Sequence, residues 1–388
     1  MATTQNNISI KSLEDFFKNN GVATQSLINT AFDPIFNSLW WKTKFMKANM
    51  PTPVNGEGAA LFQMSSLTTT PDTMLNPRSS WTEMDELSKD GFSTYTGSIH
   101  QYGRKIKWTP QQLAEFDKIS RAAGGNETVV TAYMKKTLDL LRGAHATVTN
   151  LSAQLLSKGQ FQSVNTVGFK TEGKADIPTT RFKTAGAKIW SDVSSDILGK
   201  MQTEEKALRD ATGYAGALSW KMDRTTFNYV MANTAVKSLM TAYVGYRVGM
   251  TTVSGLPSVV GTVEQYNEWA SLLQLPYISP IEIVEESQTL QSGQTVKSVV
   301  SGWDTGNAVL SPLGFQGEIK YAAIEELNWI DTDLCQVAVA EGGLFSLANY
   351  KINEGKFSIL NTEMFVHLAP ALSVFDKMTI VDTTTADS

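Results

Sequence analysis

Asp192 and Asp196 stand four residues apart in the run SDVSSDILGKMQTEEKALRDATG, which reads as a helix over 191–213, so both carboxylates would share one helix face. Such a pair can start a metal site; a solvated acidic face is the plainer reading of the same spacing. The three histidines, His100, His145 and His367, are scattered, and none has a Cys, Asp, Glu or His at metal-ligand spacing. GFKTEGKA, Gly168 to Ala175, fits a phosphate-loop pattern, but Ala175 stands where a magnesium-holding hydroxyl belongs. Pro178 follows, where a helix should aim its amides at phosphate. H-E-x-x-H and G-x-S-x-G are absent. The expectation is therefore no catalytic, cofactor or metal residue. An enzyme whose site is built from distant residues stays open as an alternative.

The elements around these residues are more informative. Val130, Met134, Leu138, Leu141, Ala144, Val148, Leu151 and Leu155 recur every three or four residues, which predicts one amphipathic helix over 127–158. Its length would be roughly 48 Å, against three or four turns for an ordinary helix. Asn126 is the expected N-cap and Gly159 the expected stop. Lys135, Lys136, Asp139, Arg142, Thr147 and Asn150 form the polar face. The same pattern would also suit a long helix on an ordinary α/β core.

Upstream, GAALFQMSSLTTT and GFSTYTGSIHQYGRKIKW read as two strands of a long hairpin with an elaborated tip. A lone ribbon is marginal in water, so it should lie on another surface or belong to a sheet edge. Thr109 and Gln112 predict a capping box, and Thr262 caps a second helix. RTTFNYVMANTAVKSLM, 224–240, reads as helix, 160–183 as mostly loop, and strands dominate from Pro276 on. FDPIFNSLWWKTKFMKANM, with Trp40 and Trp41, is an apolar arm that something must cover, its own core or a neighbour.

Composition narrows the classes. The chain has 388 residues, 42% of them hydrophobic, with nine Trp, seventeen Phe and eleven Tyr, so a large core rather than disorder is expected. The net charge of −5 leaves few basic clusters; the densest is Arg104-Lys105-Ile106-Lys107, in a strand-like run. That argues against specific nucleic-acid binding. The single cysteine, Cys335, cannot form an internal disulfide and reads as a small buried hydrophobe. No signal-peptide pattern or long apolar run is visible, so the expectation is an intracellular product with no membrane partner.

In order, these segments resemble the major capsid proteins of tailed phages, the Hong Kong 97 fold. YTGSIHQYGRKIKWTPQQLAEFDK resembles the second arm of the family's extended loop entering its peripheral domain. FQMSSLTTTPDTMLNPRSSWTEMDELSKDGF resembles the first arm and tip. NAVLSPLGFQGEIKYAAIEEL and EMFVHLAPALSVFDKMTIVD resemble late segments of lambda-like major capsid protein relatives.

The resemblance implies an α+β fold. It would comprise an N-terminal arm (1–54), an extended β-hairpin loop (55–108), a peripheral domain with a spine helix (109–225), an axial domain (226–345) and return strands (346–388). It implies a non-enzymatic subunit that self-assembles into hexamers and pentamers of an icosahedral head enclosing double-stranded DNA. An encapsulin-like compartment shell is the alternative of the same fold. Candidate subunit-interface residues are Trp40, Trp41, Tyr95, Ile99, Tyr102, Arg104 and Lys105, with axial loops in 254–265 and 287–298. Expected partners are further copies, and scaffolding, portal, decoration or connector proteins, with packaged DNA bound only non-specifically. The expected place is the virion, after assembly in the bacterial host cytoplasm. Some family members crosslink subunits through a Lys and an Asn, and neither position can be matched here. No coiled-coil-like segment follows Met1, so no large cleaved N-terminal scaffold is expected.

Overall fold

The computed structural model describes residues 40–47, 61–67, 92–109, 111–112, 114–115, 118, 125–164, 170–247, 262–272, 277–281, 285–291, 294–300, 302–322, 335–340, 343–354 and 357–387. The readings of 1–39 and of the hairpin tip lie outside them.

The long helix, α2 (Gly125–Lys158), has 34 residues. A five-residue helix, α1 (Trp40–Lys44), precedes it in the chain. Leu141, Ala144, Val148, Leu151 and Leu155 are buried in one stripe, while Lys135, Lys136, Asp139 and Arg142 are exposed. The stop falls at Gly159, whose φ of 73° suits a residue without Cβ. Its amide donates to Leu155 O at 2.9 Å. The start differs from expectation: the helix is already formed at Gly125, so Asn126 sits in its first turn rather than at the cap. Over the last turns the stripe widens, and Thr149, Ser152, Ala153, Leu156 and Ser157 are buried as well. There the helix runs between two sheets, against β16 (Phe357–Leu372) and against β12 (Asn307–Pro312).

Among the described residues the larger sheet has six strands. Its centre is β16, 16 residues long. β15 (Phe345–Glu354) pairs along one side, and beyond it lies β14 (Cys335–Ala340). On the other side β4 (His100–Trp108) pairs up to Leu368, and β13 (Gly317–Tyr321) takes over from there. β1 (Phe45–Lys47) pairs in parallel with β13.

The smaller sheet runs β7 (Phe182–Thr184), β17 (Thr379–Asp382), β12, β8 (Leu218–Asp223) and β9 (Ile278–Ile281). Only β12 runs against the other four. Strand alternation gives the sheet two apolar faces. Val309 and Ile380 join the core around α2. Ala308, Leu310, Trp220, Met222 and Val381 join a second core. That core is roofed by α3 (Ile197–Thr212), α4 (Arg224–Ala232), α5 (Thr234–Arg247) and α6 (Val263–Leu272).

Local chemistry sets the helix boundaries. Thr109 and Gln112 exchange backbone-to-side-chain bonds at 3.1 and 3.4 Å, and Thr262 and Gln265 do the same at 3.0 and 3.3 Å. The stretch 224–240 is two helices, not one. Asn233 divides them: its carbonyl accepts from the Ala235 and Val236 amides, and its NH2 donates to Val193 O and Ser195 O. Asn267 donates to Ile278 O at 2.7 Å and accepts from its amide at 2.9 Å, covering the edge of β9.

β2 (Leu61–Leu67) and β3 (Phe92–Ser98) form the expected antiparallel ribbon, Leu61 opposite Ser98 through Leu67 opposite Phe92. The stretch 91–108 is not one strand of a hairpin, however. Past Ile99 the chain leaves the ribbon and becomes β4 of the six-stranded sheet. A second hairpin, β5 (Gln160–Val164) with β6 (Lys170–Lys174), occupies part of the stretch read as loop. β10 (Glu285–Gln291) and β11 (Gln294–Val300) make a third.

Candidate assembly interface

The root of the ribbon is held by the β5–β6 hairpin. The His100 imidazole bonds Glu172 O at 3.1 Å and meets the Phe161 ring edge-on at 6.1 Å. The Tyr102 and Thr171 hydroxyls are 3.2 Å apart. Burial raises the Tyr102 pKa, with the Thr171 bond opposing it. Ile99, Tyr102 and Ile106 pack against the α2 core. Trp108 closes this face, its indole donating to Thr362 at 3.0 Å while the Lys136 ammonium lies 4.8 Å above its ring. The strands of the ribbon pair only with each other among the described residues, so it leaves the sheet from a fixed root.

The interface candidates therefore separate. Ile99 and Tyr102 anchor the root within the chain, and Arg104 and Lys105 are exposed on β4. Lys105 reaches Glu363 at 3.8 Å, a pair exposed enough to contribute little. No strand among the described residues pairs with the outer edge of β4, and Arg104, Lys105 and Lys107 keep that edge charged. Trp41 corrects the expectation: at 1% exposure it belongs to the chain's own core. The side chains of Trp40 and Tyr95 and the 254–261 loop lie outside the described residues. The 287–298 loop includes parts of β10 and β11.

Trp41 fixes α1 to the spine. Its indole donates to His145 Nδ1 at 3.2 Å, the rings stack at 5.8 Å, and Phe345 packs on the imidazole at 4.6 Å. The accepting Nδ1 requires the neutral imidazole with its proton on Nε2. Burial first, and the Lys42 charge second, lower the His145 pKa to about 3. Between its ordinary value of 6.5 and about 3 the unfolded chain binds the proton and the folded chain does not. This share of the stability is whole above pH 6.5 and drains as pH falls towards 3, by up to one proton's worth per pH unit. Urea titrations at pH 7, 5 and 4 should therefore show the gap between wild type and His145→Leu shifting towards the variant as pH falls. A pH-independent gap would contradict the assignment.

The chemistry suggested by spacing is not assembled. Asp192 and Asp196 do not share a helix face, because α3 begins only at Ile197. Asp192 accepts from the Ser194 amide and hydroxyl, and Asp196 caps α3 through the Gly199 amide at 3.1 Å. Within GFKTEGKA, Lys170–Lys174 is strand β6, and only a three-residue 3-10 turn, Thr179–Arg181, follows, so no α-helix there aims its dipole at a phosphate. His145 and His367 are buried in the sheet–helix core. No group of three His, Cys, Asp or Glu is arranged for a metal among the described residues. No helix among them is long and apolar enough to cross a membrane. A cleft of about 280 Å³ at the end of α2 is lined by Gln154, Lys158, Gln162 and Asp304 among others. Its Gln154 amide is already committed to the Gln162 amide and to Asn150.

Sequence reasoning missed the residues that brace the ribbon, Phe161, Thr171 and Glu172. Phe161 and Ser163 share one face directly after the Gly159 stop while Gln160, Gln162 and Val164 take the exposed one, and that alternation was the available signal.

No protein-family model and no curated protein matches the chain. Solved structures similar to it include a protein described as a prophage capsid protein of E. coli CFT073, 14% identical, covering 96% of this chain and 98% of that one, TM-score 0.47. A phage-related protein of Bordetella bronchiseptica RB50 is 13% identical over 95% and 96% of the two chains, TM-score 0.42. The capsid of Myoviridae phage XM1 is 10% identical over 88% and 90%, TM-score 0.44.

Proposed function

We propose that this chain is the major capsid subunit of a tailed phage, acting by assembly rather than catalysis. It would form hexamers and pentamers of an icosahedral head around double-stranded DNA. One observation carries the reading: a two-stranded ribbon, paired only with itself among the described residues, springs from a braced root and leads directly into a sheet strand and then a 34-residue spine. A ribbon that is marginal alone gains its cover from another surface, and repeated copies of the same chain supply one. The order of ribbon, spine, mixed sheet and return strands matches what the capsid resemblance implies. On this reading residues 1–54, 55–108, 109–225, 226–345 and 346–388 are arm, extended loop, peripheral domain, axial domain and return strands. Arg104, Lys105 and the ribbon face a neighbouring copy. The protein resides in the virion after assembly in the host cytoplasm. Scaffolding, portal, decoration and connector proteins are the expected further partners, and DNA is contacted only non-specifically.

Negative-stain electron microscopy with sedimentation of the expressed protein tests this. Closed shells, tubes or capsomer rings are expected. A uniform monomer at high concentration, with or without a co-expressed scaffold, would count against the reading. DNA-free shells carrying a co-purifying enzyme would instead favour a compartment shell.

A further inference from the structure

A lysine lies buried where the chain crosses from one sheet to the other. Lys221, on β8, is 2% exposed. Its amine is 2.7 Å from Ser311 Oγ, 2.9 Å from Ser219 Oγ, 3.2 Å from Pro312 O and 3.5 Å from Ser311 O. Ser311 and Pro312 end β12 in the smaller sheet, and β13 starts at Gly317 in the larger. The four residues between are held by the same cluster. Ser311 donates to Gln316 Oε1 at 2.7 Å, and Gln316 Nε2 donates to Pro312 O and Gly314 O. The Gln316 amide donates to Lys44 O at 2.6 Å, and the Leu313 amide to Ala217 O at 2.9 Å.

Among the described residues, every partner of the amine is uncharged. Ser219 comes from β8, and Ser311 and Pro312 from β12. Its cross-strand neighbours Ser279 and Val309 are also neutral. Asp223, on the same strand, turns its carboxylate to the Thr225 and Thr226 amides at the start of α4. The charge acting on the amine is another cation, Lys44. The amine donates to Ser219 Oγ, Ser311 Oγ and Pro312 O, and with no carboxylate among its partners in the described residues, burial favours its uncharged form.

We propose that the β12–β13 crossover is a proton-operated hinge, held shut by the uncharged Lys221 amine and released as that amine takes up a proton. Burial, aided by Lys44, lowers the Lys221 pKa to about 7, against 10.5 for the amine in water. The open hinge therefore binds the proton more tightly than the closed one. Closure is strongest at high pH, weakens as pH falls from 10.5, and levels off below about 7. The inference does not depend on the assembly reading.

Hydrogen–deuterium exchange of the full chain tests it, with labelling times scaled for the intrinsic pH dependence of exchange. Between pH 9 and 7.5 the opening constant at the Leu313 and Gln316 amides should rise by up to about tenfold per pH unit lost. In Lys221→Met it should be flat. Ser311→Ala keeps the amine and loses one acceptor, so it should keep the slope at lower protection throughout. It also carries the test should Lys221→Met not fold. A flat wild-type profile, an equal slope in Lys221→Met, or a flat profile in Ser311→Ala would overturn the proposal.

Discussion

Replacing Gly317 by alanine is expected to destabilise the chain by about 3 kcal/mol or more, placing it among the severe single substitutions. Gly317 opens β13 between β1 and β16, facing Phe45 on one side and Leu372 on the other. A Cβ there would run into the backbone carbonyl of Ala371, and would lie 2.6 Å from the Phe45 ring. The ring is a side chain and could shift, though Phe45 is itself 1% exposed and closely packed. The carbonyl is part of the β13–β16 pairing and cannot move without opening it. Chemical denaturation of wild type, Gly317→Ala, Phe45→Leu and the double variant separates the two contacts. If the backbone contact dominates, trimming Phe45 does not rescue Gly317→Ala. Full rescue, or an unchanged midpoint in the single variant, would refute this account.

Excising residues 61–98 and joining the flanks through a Gly/Ser linker is expected to abolish assembly and leave a folded chain. β2 and β3 pair only with each other among the described residues, while β4, α2 and both sheets lie outside the excision. The apolar residues of both described cores also lie outside it. Circular dichroism and cooperative unfolding should stay near wild type, whereas sedimentation should show only small species. Intact shells from the shortened chain would remove the ribbon from the interface. Loss of cooperative unfolding would show that it belongs to the core instead.

Much of the fold was legible where the signal is local. The stripe from Leu138 to Leu155, the Gly159 stop and the capping boxes at Thr109 and Thr262 depend on residues within a few positions, and the backbone follows them. Local signals failed where tertiary packing overrides them. LSWKMD carries a serine, a lysine and an aspartate, yet all six residues are buried in β8 between two strands and two cores. SDVSS reads as helix by composition, but the Asp192 turn holds it outside α3. Trp41 could serve a neighbour or its own core by sequence alone. The choice is made by His145 and Phe345, more than 100 and 300 residues away, which no local pattern reveals. The braced root of the ribbon was hidden for the same reason, since Tyr102 and Thr171 are 69 residues apart in the sequence.

The central place of β16 also sets a timetable for synthesis. β4 cannot find its partner until residues 360–368 exist, and β17, between β7 and β12, comes later still. At about 5–20 residues per second, β4 waits roughly 13–50 s after Trp108 is made. Pairings this distant in sequence are also slow to close once available. Throughout that interval β4 lacks its sheet partner, so the ribbon that leads into it is not yet anchored to the sheet. On the capsid reading proposed above, assembly competence would arrive late, after β16 and β17 have emerged, and unfinished chains would stay out of the growing lattice.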